Sequence, residues 1–114
     1  MSLIYGHGSL TVDLHNAKNV AGKRSQDTYA QVFLIEKWEE KWNLNQRVLF
    51  PDGGNERTNV HKKNISPVFD KSVNERRFTF TGADVTTKFL VISIWDKDSS
   101  SKDDFMARIT IPLR

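Results

Sequence analysis

The stretch Phe89-Leu90-Val91-Ile92-Ser93-Ile94-Trp95-Asp96-Lys97-Asp98 decides the fold. Its first seven residues are almost wholly apolar and read as a strand, with Leu90, Ile92 and Ile94 on the core face. Trp95 falls near the strand end. The sequence then turns abruptly polar over residues 96–104, a loop with three consecutive serines. A closing strand follows, with Ile109, Ile111 and Leu113 on one face.

The same signals recur upstream. Leu10, Val12 and Leu14 alternate with Thr11, Asp13 and His15, which is the pattern of a half-buried strand. Residues 28–35 are rich in aromatic and branched side chains. Residues 77–81 form a shorter strand, with Phe78 and Phe80 on one face. Pro51-Asp52-Gly53-Gly54-Asn55 is a strong turn signal between Arg47-Val48-Leu49-Phe50 and Arg57-Thr58-Asn59-Val60, so a hairpin is expected there. Short strands separated by turns predict an all-β antiparallel β-sandwich. With 114 residues, and no repeat or linker, one domain spanning 1–114 is expected. Met1-Ser2-Leu3 is compatible with a cloning remnant.

Residues 36–45 break the pattern. Trp38 and Trp42 are four apart, which places both indoles on one face if a helical turn forms. Either they cover the sandwich, or they form an exposed aromatic platform for a partner or for lipid headgroups.

Composition narrows the function. Hydrophobic residues make up 38%, so disorder is excluded on composition. There is no apolar run of transmembrane length and no signal-peptide pattern. The absence of cysteine favours an intracellular setting without disulfides. The net charge of +3 permits attraction to anionic surfaces but lacks the dense basic stripe of a nucleic-acid binder. His7, His15 and His61 have neither metal nor triad spacing, and there is no nucleophile elbow or phosphate loop, so no enzyme is expected.

The chemistry lies in the aspartates. Asp27 ends one polar segment, and Asp96, Asp98, Asp103 and Asp104 lie in another. If residues 28–35 and 89–95 are strands of one sandwich, both segments open at the same tip. Carboxylates crowded there repel one another, and a hard cation relieves the repulsion. Calcium suits such a site because it takes six to eight oxygen ligands in flexible geometry. The segment fails the EF-hand pattern, which requires glycine at Ser101 and glutamate at Ala107.

An ordered set of motifs carries a family resemblance. Gly8-Ser9-Leu10-Thr11-Val12 and Asn16-Ala17-Lys18-Asn19-Val20 look like the first strand and loop of C2 domains from protein kinase C and synaptotagmin. Gln26-Asp27-Thr28-Tyr29-Ala30-Gln31-Val32 is similar to that family's Ser-Asp-Pro-Tyr-Val-Lys-Val motif. Ser66-Pro67-Val68-Phe69-Asp70 resembles Asn-Pro-Val-Phe-Asn. Trp95-Asp96-Lys97-Asp98 with Lys102-Asp103-Asp104-Phe105-Met106 resembles the third calcium-binding loop, and Ile109-Thr110-Ile111-Pro112-Leu113 resembles the strand after it.

The resemblance implies a Greek-key C2 sandwich with a tryptophan-containing insertion after the second strand, excised from a larger protein. It implies calcium ligands at Asp27, Asp96, Asp98 and Asp104. The family's first-loop aspartate falls on Ala21, which predicts fewer ions and weaker binding. The implied function is calcium-dependent docking on anionic phospholipid membranes by a cytoplasmic, peripheral module. The alternative is a calcium-independent protein-interaction module, and nucleic-acid binding is not expected. Lys23, Arg24, Lys97 and Lys102 flank the acidic tip as candidate lipid contacts. Arg57, His61, Lys62 and Lys63 form a second basic group, with Arg57, His61 and Lys63 on one face of a regular strand. That group either binds headgroups or serves as a solvated edge. Phe105 and Met106 are expected to turn inward, so deep membrane insertion is not expected.

Overall fold

A computed structural model gives the architecture. It describes residues 1–6, 8–17, 26–38, 47–54, 56–64, 66–69, 73–82, 84–98, 100 and 102–113. Of the residues named above, His7, Lys18, Asn19, Val20, Ala21, Lys23, Arg24, Trp42, Asn55, Asp70 and Ser101 lie outside the described residues.

Among the described residues the strands are β1 (Ser2–Gly6), β2 (Ser9–Asp13), β3 (Thr28–Ile35), β4 (Val48–Leu49), β5 (Arg77–Thr81), β6 (Phe89–Asp96) and β7 (Asp104–Pro112). They form two antiparallel sheets, ordered β1-β2-β5 and β4-β3-β6-β7. A four-residue helix, α1 (Val73–Arg76), leads into β5. The neighbours β2–β5 and β3–β6 are distant in sequence, so the chain crosses between sheets as a β-sandwich requires.

Alternation builds the core. Leu10, Val12, Phe78 and Phe80 from one sheet meet Ala30, Val32, Leu34, Leu90, Ile92 and Ile94 from the other. Fully burying one such aromatic or branched side chain contributes about 1.5–3 kcal/mol. The second sheet is also covered on its outer side. Phe33, Ile35 and Val91 form a smaller cluster there with Val48 and Phe89. The Phe50 ring lies 6.1 Å from Phe33, and the Trp38 ring lies 6.0 Å from Phe89 at a steep angle. Trp38 follows β3 and keeps 54% of its surface exposed, so it covers that edge only in part.

Three points add to or correct the sequence reading. Residues 2 and 3 belong to β1, which pairs with β2 from Ser2↔Asp13 to Gly6↔Ser9. The segments around residues 48 and 57 do not form a hairpin with each other. Both run antiparallel along β3, through Leu34↔Leu49 and Ile35↔Val48, then Gln31↔Arg57 and Thr28↔His61. Between them the chain loops out through a 3-10 turn in which Gly53 takes φ 78, a left-handed conformation that costs glycine nothing.

The third point concerns Phe105. The register steps from Ile94↔Ala107 to Trp95↔Phe105, a β-bulge at Met106. Met106 therefore packs against the core, while Phe105 faces outward at 55% exposure. Its ring lies 5.5 Å from Trp95, edge to face.

Candidate functional site

The antiparallel order of β3, β6 and β7 brings the start of β3, the end of β6 and the start of β7 to one end of the sandwich. Asp96 pairs with Thr28 on one side and Asp104 on the other. The Asp27 amide donates to Asp96 Oδ1 at 3.0 Å. The Lys97 amide donates to the Asp27 carbonyl at 2.8 Å, which ties the two loops together. Asp27 Oδ1 also accepts from the Lys63 amide at 2.9 Å. Three of the four expected ligands, Asp27, Asp96 and Asp104, thus stand next to one another along the strand ends.

Asp98 is oriented by its own loop. Its Oδ1 accepts from the amide and the hydroxyl of Ser100, both at 2.9 Å. Its amide donates to Asp103 Oδ1 at 3.0 Å. Asp103 Oδ2 accepts from the hydroxyl of Tyr29. Tyr29 is buried, and the Arg57 guanidinium lies 4.7 Å above its ring. Burial first, and the Asp103 bond second, push the Tyr29 phenol up to about 12. The same bond, with the Asp98 amide, holds the Asp103 carboxyl below the usual carboxylate range. The sequence reading placed Asp103 only beside Asp104 and gave Tyr29 no role. The adjacent aspartates and the tyrosine after Asp27-Thr28 were the available signals.

The basic residues divide. Arg57, Lys62, Lys63, Lys97 and Lys102 are exposed. His61 is turned inward, which corrects the expectation of one shared face. Its Nε2 bonds to the buried carboxylate of Glu75, and its ring meets Phe69 edge-on at 5.2 Å. The cause is a bulge. Two residues of β3 separate Gln31 from Thr28, whereas three separate Arg57 from His61 on the facing segment. One extra residue inverts the side-chain alternation. Lys63 then sits in a turn at φ 52.

The donor set fits calcium in its chemistry, since it is made wholly of hard carboxylate oxygens at a crowded, like-charged end. Asp27 and Asp96 are the pair joined by a direct hydrogen bond. Among the described residues no three His, Cys, Asp or Glu side chains converge tightly enough to hold an ion as they stand. No helix among the described residues is long and apolar enough to cross a membrane.

The C2 domain model matches residues 8–114. Synaptotagmin-1 of Caenorhabditis elegans is 29% identical over 114 residues, covering 96% of this chain and 22% of that protein. Synaptotagmin-1 of Aplysia californica is 28% identical over 109 residues, covering 93% of this chain and 22% of that protein. The chain thus spans about a fifth of the length of these relatives. A solved C2 domain of RIM from Drosophila shares the fold with a TM-score of 0.68 at 23% identity, covering 97% of this chain and 81% of that one. A solved C2 domain of plant extended synaptotagmin 1 gives a TM-score of 0.64 at 18% identity, covering 96% of this chain and 72% of that one. The family match, the two antiparallel sheets and the acidic loops at one tip make this chain a member of the C2 domain family.

Proposed function

We propose that this C2 domain docks on anionic phospholipid surfaces and that calcium at its tip controls the docking. The observation that carries this reading is the placement of Asp27, Asp96 and Asp104 side by side, with Asp98 in the adjoining loop. These four residues would hold the ion. Bound calcium supplies positive charge that offsets the crowded carboxylates. Ala21 stands where the family carries a further aspartate, so the site holds fewer ions with lower affinity.

The exposed cations supply the attraction to lipid. Lys97 and Lys102 lie in the acidic loop, and Lys62 and Lys63 adjoin it through the Lys63–Asp27 bond. On the sequence alone, Lys23 and Arg24 are assigned the same role. Each such residue at a charged bilayer contributes about 1 kcal/mol, and salt screens the contribution. Arg57, over Tyr29, extends the basic surface down the sheet. His61 acts from inside, by fixing that segment on Glu75. Phe105, exposed beside Trp95, adds an apolar contact at the bilayer interface.

Sedimentation with vesicles tests the reading. The domain should pellet with phosphatidylserine-containing vesicles in calcium, and stay in solution with chelator or with phosphatidylcholine alone. Asp98→Ala should abolish the calcium-dependent fraction. Lipid binding that ignores calcium and survives Asp98→Ala contradicts the proposal.

A further inference from the structure

We infer that Asp103 is a positioning residue: through its own hydrogen bonds it ties residue 98 to residue 103 and both to Tyr29 of β3, independently of any cation. Both of its carboxylate oxygens are engaged inside the domain. Oδ2 accepts from the Tyr29 hydroxyl. Oδ1 accepts from the Asp98 amide at 3.0 Å and from Lys97 Nζ at 3.5 Å. The Asp103 side chain is only 18% exposed, unlike that of Lys97 at 44%. Asp103 therefore presents little free oxygen to an ion. It closes the loop on itself, joining residue 98 to residue 103.

The anchor for this closure is rigid. Tyr29 is buried within β3, pairs with Trp95 across the sheet, and lies beneath the Arg57 guanidinium. Its hydroxyl can therefore point in few directions. A hydrogen bond to a charged group is stronger than one between neutral groups, and a fixed partner lowers its ordering cost. Residues 98 and 103 are then held together by an internal anion. Asp104, the next residue, opens β7 opposite Asp96, so holding Asp103 also fixes where Asp104 begins. A segment whose two ends are already tied loses less entropy when an ion arrives. The consequence for cation affinity rests on the calcium reading above; the closure itself does not.

The test separates the two. Amide hydrogen exchange is measured by NMR on the metal-free protein, in wild type, Asp103→Asn and Tyr29→Phe. Tyr29→Phe keeps the ring packing and removes only the hydroxyl. The Asp98 amide should be protected in wild type and exchange at least roughly tenfold faster in both variants. The Ile92 amide, in the middle of β6, should be unchanged, which excludes general unfolding. The double variant should show little further loss, because both changes act on one chain of bonds, from Tyr29 through Asp103 to the Asp98 amide. Calcium affinity, measured on the same proteins, should fall in both variants. An Asp98 amide that is unprotected in wild type, or that stays protected in both variants, overturns the inference. Protection that behaves as expected in a wild type that binds no calcium upholds the inference and removes the calcium reading instead.

Discussion

The amide of Asp27 donates to the carboxylate of Asp96 at 3.0 Å, across 69 residues of sequence. This bond joins the loop before β3 to the end of β6. It makes Asp96 both a candidate ligand and a structural acceptor, whereas the Asp98 carboxylate bonds within its own loop, to Ser100. Asp96→Ala should therefore cost about 1–2 kcal/mol of stability by leaving an amide unpaired. Asp98→Ala should cost less, about 0.5–1 kcal/mol, because its bonds to Ser100 stay within one loop. Both should lose calcium binding. Urea melts of the two variants check the difference.

The two halves of the basic segment should separate under mutation. His61 pairs with Glu75, whose side chain is only 5% exposed. His61→Ala leaves that carboxylate buried without its hydrogen-bond partner, and should cost about 1–3 kcal/mol. Lys62→Ala with Lys63→Ala should leave stability within about 0.5 kcal/mol, because both residues are exposed. The lysine pair should instead weaken vesicle binding, most clearly at low salt. Thermal melts beside sedimentation distinguish the two effects.

Tyr29 should report on its own bond. Its phenol ionises at about 12 rather than 10.0, because of burial first and Asp103 second. A folded-state value above the unfolded one stabilises the fold fully below pH 10, and the contribution is lost as pH rises through about 12. Absorbance at alkaline pH, compared with Tyr29→Phe, isolates this titration. Asp103→Asn should lower the value without restoring the ordinary one, since burial remains.

Asp13 and Arg77 set an acid-side dependence. Arg77 donates to both Asp13 oxygens, at 2.9 and 3.3 Å, from adjacent β2 and β5. The Arg77 bond holds the Asp13 carboxyl below its ordinary value of 3.8. A depressed folded-state value means that the stabilisation is present above that ordinary value and disappears as pH falls through the folded one. Arg77 faces solvent, so the effect is modest. Melting temperature followed from pH 6 down to pH 2 should fall less steeply in Asp13→Asn than in wild type.

Much of this was legible in the sequence, for identifiable reasons. Leu10 and Val12, Phe78 and Phe80, and Leu90, Ile92 and Ile94 alternate as core-facing residues of strands must, and all are buried. What escaped the reading involves edges and bulges. β1 is an edge strand with exposed Ile4 and Tyr5, so it carries no clean alternation. Glycine-rich residues 51–55 promise a hairpin, yet both flanking segments pair with β3, because a turn signal does not name the partner strand. One extra residue turns His61 inward, and one bulge at Met106 turns Phe105 outward; neither is written in the local composition. The acidic set could be read because its members are aspartates in loops. The clamp from Tyr29 to Asp103 was missed, since 74 residues separate its ends and neither residue type points to the other.

The most direct test of the central claim is a calorimetric calcium titration of the wild-type domain with Asp98→Ala as control. The account predicts saturable binding in wild type that disappears in the variant. No heat and no rise in melting temperature at high calcium would contradict it, and would turn attention to the exposed Trp38 as a surface for a protein partner.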